Sequence, residues 1–172
     1  MKFLCLFSFL FLAISIQAQS YDGIYRQKVK SLETTIETLY DVISGDAGVR
    51  RDWDLFRYLF AEDAQLIPYR TNENGRLIPD YWSVEDYVKN AGPYLEKNGF
   101  FEKEISRRIE TFGGLTHIFS TYESFRKSSD TQPFARGINS IQLLNDGSRW
   151  WIINIAWQSE SDALPIPEKY LK

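Results

Sequence analysis

The only histidine of the chain, His117, is the first candidate for acid–base chemistry. Gly113-Gly114 predicts a tight turn, and strand pairing outward from that turn places Glu110 directly across from His117. A neighbouring carboxylate orients an imidazole and stabilises its charged form, so this pair could serve as a general base. The opposite face of this hairpin is more apolar and is expected to be the buried one. The pattern therefore favours a cross-strand ion pair of Glu110 and His117 on the protein surface.

Two asparagines on neighbouring strands are the best candidates for ligand contacts. If Asp146-Gly147 forms a two-residue turn, Asn139 lies opposite Asn154 and Gly137 lies opposite Ala156. Amides on an otherwise apolar face need partners, which a ligand carbonyl or hydroxyl, the other amide or trapped water could supply. The two small residues would leave room on that face for a ligand or for a packed helix.

Aromatic residues extend this candidate ligand site. Trp150 shares the face of the two amides, and Tyr122 lies on the more apolar face of its own strand. Tyr81-Trp82 lies just before a helix and could rim a pocket for an amphipathic ligand, or pack as plain structure. Asp80, just before this pair, could be a base at the pocket mouth, a helix cap or a solvated carboxylate.

Helices are predicted for the first half of the chain. Apolar residues at spacings of three and four, from Val29 to Ile43, predict one helix that Gly45 ends. Asp52 is a suitable N-cap for a second helix through Phe60, and Ser83 for a third that Gly92-Pro93 kinks or ends. Further elements in this half are a short strand at 64–68 and a turn at Asn74-Gly75.

Strands are predicted from Phe100 onward, where the hydrophobic period changes to two. The predicted strands cover residues 102–109, 115–125, 134–145 and 149–158. Helices followed by such a meander indicate an α+β domain with helices packed on one face of the sheet.

Composition excludes several classes of function. Lys and Arg number 20 against 23 Asp and Glu, so the chain lacks the basic excess of a nucleic-acid-binding surface. A hydrophobic content of 44% excludes a disordered chain. One cysteine and one histidine exclude a disulfide scaffold and a zinc site of several such ligands, and no cofactor or metal site is predicted.

The N-terminus has the pattern of a signal peptide. Lys2 precedes the apolar run Phe3–Ile16, and Ala18 offers a small residue at a cleavage edge. We therefore predict a signal peptide at residues 1–18, a domain at 19–160 and a tail at 161–172, with a periplasmic or secreted location. The alternative is an uncleaved N-terminal anchor.

Two segments carry a resemblance to a known superfamily. Asp52 to Ala64 resembles the helix and following Asp-Ala of the nuclear-transport-factor-2-like (NTF2-like) proteins, and Trp150 to Trp157 is similar to their last strand. The resemblance spans roughly residues 27–160. It implies an α+β fold in which a curved, mostly antiparallel sheet forms a cone with three N-terminal helices on its concave face. SnoaL-like cyclases and ketosteroid isomerase share this fold, as do many binding domains, so the fold does not imply one function.

Together these features predict an exported domain that binds a small, partly apolar ligand in its pocket. The alternative is an acid–base isomerase, cyclase or dehydratase of the ketosteroid-isomerase or SnoaL type. The final strand is apolar on both faces, so both faces must be covered. The resemblance implies that a second copy covers the outer face, which the predicted register assigns to Trp151, Ile153, Ile155 and Trp157. A purely structural dimer with no ligand is a third possibility.

Overall fold

A computed structural model describes residues 23–172. The predicted signal peptide lies outside the described residues. Residues 23–28 are helical, and the helices that follow are α1 (Leu32–Ile43), α2 (Trp53–Leu59), α3 (Val84–Asn90) and α4 (Gly92–Asn98). The strands are β1 (Phe60–Thr71), β2 (Leu77–Pro79), β3 (Phe101–Phe112), β4 (Leu115–Phe125), β5 (Ala135–Asn145) and β6 (Trp150–Ser159). A short 3₁₀ helix, Glu168–Tyr170, lies near the C-terminus.

Side-chain caps set the starts of three helices. Ser31 accepts a hydrogen bond from the Thr34 amide, so this helix begins at Leu32 rather than at Val29 as predicted. The predicted caps Asp52 and Ser83 accept from backbone amides at the starts of α2 and α3. These contacts satisfy amides that have no partner within the helix.

The strands form one curved, unclosed sheet in the order β2-β1-β6-β5-β4-β3. The predicted meander is confirmed, because β3 to β6 pair antiparallel in succession. β1 adds to its edge as a strand parallel to β6, and it starts at Phe60, which the sequence pattern assigned to a helix. The predicted α+β fold class is therefore confirmed, with two further strands beyond the meander.

Two bulges decide which side chains face the helices. In β3 the pairs Glu110–His117 and Ile109–Ile118 lie in the predicted register, but an irregularity between Glu104 and Ser106 shifts the rest by one residue. One extra residue moves every later side chain to the other face of the sheet. Glu104 therefore lies opposite Tyr122, whereas an unbroken register from Gly113-Gly114 would place it opposite Glu123.

The β5–β6 hairpin departs further from prediction. Its loop spans residues 146–149 and Asn145 pairs with Trp150, so the predicted two-residue turn is wrong. A second irregularity, opposite Gln142 and Leu143, shifts the register once more. Asn139 consequently pairs with Trp157, and Asn154 pairs with Gln142.

The core lies between the concave face of the sheet and the helices. Its most deeply buried large side chains come from α1, α2 and the central strands, and they are Ile36, Phe56, Leu59, Ile118, Ile141, Leu143 and Ile152. Among residues 23–172, no helix has the length and apolar character that a membrane span requires.

The predicted C-terminal tail packs against the outward face of β3 and β4. The ring of Tyr170 contacts Phe119 at a centroid distance of 4.9 Å, and the Thr121 hydroxyl donates to the Tyr170 carbonyl at 2.6 Å. Arg108 donates to the carbonyl of Lys169. Part of the convex side is thus covered by the chain's own last residues.

Candidate functional site: an aromatic cavity with one buried carboxyl

A cavity of about 380 Å³ lies between the concave face of the sheet and the helices. Most of its lining is aliphatic or aromatic. Phe134, 46% exposed, lines it where it reaches the surface. The aromatic lining residues are Tyr40, Phe56, Trp82, Tyr87, Phe100, Tyr122, Phe134 and Trp157.

Glu102, near the start of β3, is the charged residue of this lining. The turn before it uses Gly99 at φ +70°, where an added Cβ would lie 2.7 Å from the Arg126 carbonyl oxygen. The Glu102 amide donates to the Ser44 hydroxyl at 3.0 Å, which ties the strand to the end of α1. The bulge in β3 then turns the Glu102 side chain inward, opposite Ser124 of β4.

Burial shifts the ionisation of Glu102. Removal of the carboxyl from water raises its pKa to about 7, against the opposing effect of its hydrogen bonds from Ser124 and Asn139. The Ser124 hydroxyl donates to Oε2 at 3.0 Å, and the Asn139 amide donates to Oε1 at 3.3 Å. The carboxyl is therefore close to half ionised at neutral pH.

A chain of hydrogen bonds joins this carboxyl to a second one. Asn139 also donates to the Tyr40 hydroxyl at 3.1 Å, and Tyr40 contacts the Ser120 hydroxyl at 2.6 Å. Ser120 donates to Oε1 of Glu104 at 2.5 Å, so the shared proton between Tyr40 and Ser120 comes from Tyr40. Glu104 differs from Glu102 in having a basic partner, Arg107.

Tyr122 supplies a hydroxyl to the same part of the cavity. Burial is the main cause that raises its pKa to about 12, so it remains a hydrogen-bond donor at neutral pH. Its hydroxyl lies 3.3 Å from the Ser159 hydroxyl. Gly137 makes room for this ring, because a Cβ there would meet the Tyr122 hydroxyl and lie 2.5 Å from the Gln158 carbonyl oxygen. The space beside Gly137, which the sequence left for a ligand or a packed helix, is therefore occupied by Tyr122.

Aromatic rings in mutual contact form one wall of the cavity. Phe56 stacks on Tyr87 at 5.1 Å, and Trp157 meets Tyr87 and Trp82 edge to face at 6.2 and 6.4 Å. Burial raises the pKa of the Tyr87 hydroxyl. Such rings offer a large apolar surface to a ligand and a negative ring face to a cation.

Three of the predicted ligand-binding residues line the cavity: Asn139, Tyr122 and Trp82. Asn154 does not, because the bulge in β6 places it opposite Gln142 on the convex side, where its carbonyl oxygen accepts no hydrogen bond from the described residues. Trp150 packs against the core, and its amide donates to the Val29 carbonyl. The predicted pair of facing asparagines is therefore wrong.

The remaining predicted candidates lie away from the cavity. Tyr81 is 68% exposed. Asp80 forms an ion pair with Arg70 at 2.9 Å. His117 lies on the convex side, as predicted, and its Nε2 forms a hydrogen bond of 2.9 Å with Ser140. The structure therefore does not bring His117 or Asp80 to the cavity.

Sequence reasoning missed Glu102, Tyr40 and Ser124. The run Glu102-Lys103-Glu104 has the composition of an exposed strand, and the bulge that turns its carboxylates inward has no clear sequence signal. The sequence held one indirect indication, which does not locate the bulge. A strand whose register could slip by one residue has two possible inward faces, and one of those faces carries Glu102.

The arrangement can hold a small molecule and exchange a proton with it. The aromatic wall supplies apolar contact, while Tyr122 and Asn139 can orient an oxygen or nitrogen atom beside Glu102. A carboxyl with a pKa of about 7 can both accept and return a proton near neutral pH.

Comparisons with known proteins bear on the fold. No family model matches the chain, and no curated protein matches it. The similar solved structures include an NTF2-like protein of unknown function and a protein named as a proposed scytalone dehydratase.

Three of these structures illustrate the likeness. A protein of unknown function with a cystatin-like fold from Nostoc punctiforme is 10% identical over 76% of this chain and 90% of its own, with a TM-score of 0.57. A proposed scytalone dehydratase from Novosphingobium aromaticivorans is 11% identical over 76% and 82%, with a TM-score of 0.56. An NTF2-like protein of unknown function from Silicibacter pomeroyi is 12% identical over 75% and 92%, with a TM-score of 0.51. The chain thus has the cone-shaped NTF2-like fold that its sequence resemblance predicted.

Proposed function

We propose that this chain binds a small, largely apolar molecule in the cavity and presents the Glu102 carboxyl to the ligand's polar group. The observation that carries the proposal is a cavity of about 380 Å³ with aliphatic and aromatic walls and polar groups gathered around Glu102. Concave apolar pockets with a few convergent polar groups are the usual form of small-molecule sites.

Calorimetric titration with a neutral aromatic probe, 1-naphthylmethanol, tests this proposal. Ala91 lines the cavity, so Ala91→Phe should fill part of it and abolish binding. Ala163→Phe, at an exposed position near the C-terminus, is the matched control and should bind as the unmodified chain does. Equal binding by the two variants would refute the proposal. So would the absence of binding by neutral, cationic and anionic naphthyl probes together with the absence of any co-purified molecule in native mass spectrometry.

Proton transfer is a second candidate function, and the pKa of Glu102 favours it. A base that titrates near neutral pH, in the same cavity as the Tyr122 hydroxyl, is suited to moving a proton at a carbon beside a carbonyl. Deuterium incorporation into 2-tetralone, followed by NMR, measures this chemistry directly. The rate should rise through about pH 7 and disappear in Glu102→Gln; an unchanged rate in that variant would exclude Glu102 as the base.

Export is proposed from the N-terminal pattern. Lys2, the apolar run Phe3–Ile16 and the small residue Ala18 support cleavage before Gln19. Intact-mass measurement of protein isolated from its native host tests this. A mature chain that starts at Gln19 agrees with export, and a chain that keeps Met1 and stays with the cell interior contradicts it.

We propose that two copies pair through the convex face, with fewer of its residues taking part than the sequence predicted. Trp151 lies on that face next to Leu144 and Leu115, whereas Ile155 and Trp157 line or border the core side. Leu144→Lys should therefore lower the dimer fraction in analytical ultracentrifugation, while Leu77→Lys, exposed on β2, should not. A single monomeric species of the unmodified chain at micromolar concentration would exclude this interface.

A further inference from the structure

The described residues that line the cavity carry a negative charge and no positive charge. Among the described residues 23–172, the lining contains the carboxyl of Glu102 and no lysine, arginine or histidine. Glu104, the other inward carboxylate of β3, has Arg107 as its partner, but the hydrogen bonds of Glu102 come from the neutral groups of Ser124 and Asn139. A buried carboxylate without a cation carries an unfavourable desolvation cost.

The walls around this carboxyl suit a positive charge. Tyr87 and Trp157 contact each other, and Trp82 extends the same wall. The faces of such rings attract cations, most strongly where water is excluded. An anionic ligand would find no basic side chain in this lining and would be repelled by Glu102.

The groups that face Glu102 from the neighbouring elements are neutral hydroxyls. These hydroxyls belong to Tyr40 of α1, Tyr87 of α3 and Tyr122 of β4. Burial is the main reason that the pKa of each hydroxyl is raised, so all three are uncharged at neutral pH. β5 contributes the amide of Asn139. At the mouth, the Arg126 guanidinium lies 3.9 Å from the centre of the Phe134 ring and donates to the Tyr94 hydroxyl. Beside the mouth, Arg136 is placed between Glu123 and Glu160.

We propose that the ligand of this cavity is a lipophilic amine, bound with its ammonium group against Glu102 and its apolar part against the aromatic wall. This inference rests on the proposed binding function and names the chemical class of the ligand. An ammonium group donates up to three hydrogen bonds, and it supplies the positive charge that the lining lacks. A neutral alcohol of the same shape would fill the same space but would leave the Glu102 carboxylate without a counter-charge.

Binding should then increase with pH. The carboxyl must be ionised to hold the ammonium group, and with a pKa of about 7 its ionised fraction rises about tenfold between pH 6 and pH 8. The apparent affinity of a ligand scales with the fraction of protein in the competent state. Affinity for the amine should therefore rise about tenfold over that range. A neutral ligand that accepts a hydrogen bond from protonated Glu102 would show the opposite trend.

Titration with three probes of one shape tests the inference. The probes are 1-naphthylmethylamine, 1-naphthylmethanol and 1-naphthoate, measured by calorimetry at pH 6, 7 and 8. We expect the amine to bind at least tenfold more tightly than the alcohol at pH 8, and the naphthoate not to bind. Glu102→Gln should reduce amine affinity to that of the alcohol, and Glu110→Gln, exposed on the outward side of the same strand, should not.

The outcomes separate this inference from the proposed function. If all three probes fail to bind and no molecule co-purifies with the chain, the proposed cavity function itself fails. If the alcohol binds as tightly as the amine, or if affinity for the amine falls as pH rises, the cavity binds small molecules but the amine proposal is wrong. The pH series uses the unmodified chain, so this conclusion does not depend on the folding of Glu102→Gln.

Discussion

Replacement of Glu102 by glutamine measures how much the buried charge of this side chain lowers the free energy of unfolding. The folded protein binds this proton more tightly than the unfolded chain does, because burial raises the pKa from 4.5 to about 7. Ionisation therefore destabilises the folded state progressively as the pH rises from about 4.5 to about 7. One pKa unit corresponds to about 1.4 kcal/mol, so the full cost above pH 7 is about 3 kcal/mol.

Glutamine keeps the size of the side chain and removes the charge. Its amide NH₂ would face one of the two donors, Ser124 or Asn139, and the lost hydrogen bond costs about 1 kcal/mol. Glu102→Gln should therefore be about 2 kcal/mol more stable than the unmodified chain at pH 8. At pH 4.5 the advantage should vanish, and the variant should be slightly less stable.

Urea denaturation at several pH values between 4.5 and 8, followed by far-ultraviolet circular dichroism, measures this difference. Glu110→Gln, exposed on the same strand, is the control and should follow the pH dependence of the unmodified chain. A free-energy difference between Glu102→Gln and the unmodified chain that is constant with pH would refute the reasoning. A difference of opposite sign at pH 8 would show that Glu102 is stabilised as an anion.

Three other substitutions probe the scaffold around the cavity, each measured by urea denaturation. Arg51 is buried and its guanidinium donates to several backbone carbonyls, so Arg51→Met should cost at least about 3 kcal/mol, while exposed Arg50→Met should cost under about 0.5 kcal/mol. Gly137→Ala should cost about 1–3 kcal/mol, because the added Cβ collides with Tyr122 and with the Gln158 carbonyl oxygen; a neutral effect would contradict this close packing. Trp157→Ala should cost about 3 kcal/mol and enlarge the cavity, and an unchanged stability would show that this indole is not part of the wall.

Local features were predictable because their causes lie within a few residues. Asp52 and Ser83 cap helices by accepting hydrogen bonds from amides three residues ahead, so residue type and spacing are sufficient evidence. The β3–β4 hairpin follows from Gly113-Gly114, whose turn sets the pairing of Glu110 with His117. The start of β1 was missed, since Phe60 belongs equally well to the apolar face of a helix and to a strand.

The candidate site was only partly predictable. Asn139 and Tyr122 were identified from residue type and strand periodicity, and Trp82 from residue type and its place before a helix; all three line the cavity. Asn154 was misplaced and Glu102 was missed for one reason, because each lies beyond a bulge that exchanges the two faces of its strand. A bulge depends on how the sheet curves around its core, and nothing near these residues in the sequence specifies it.

The sequence by itself determined the class of the fold, the helix starts capped by Asp52 and Ser83, and the antiparallel meander, since capping, periodicity and turn chemistry act over short distances. Only the tertiary structure decided that Glu102 faces the cavity and His117 does not. The physical reason is that a one-residue shift between strands changes no local preference, yet it determines whether a carboxylate meets water or an aromatic wall.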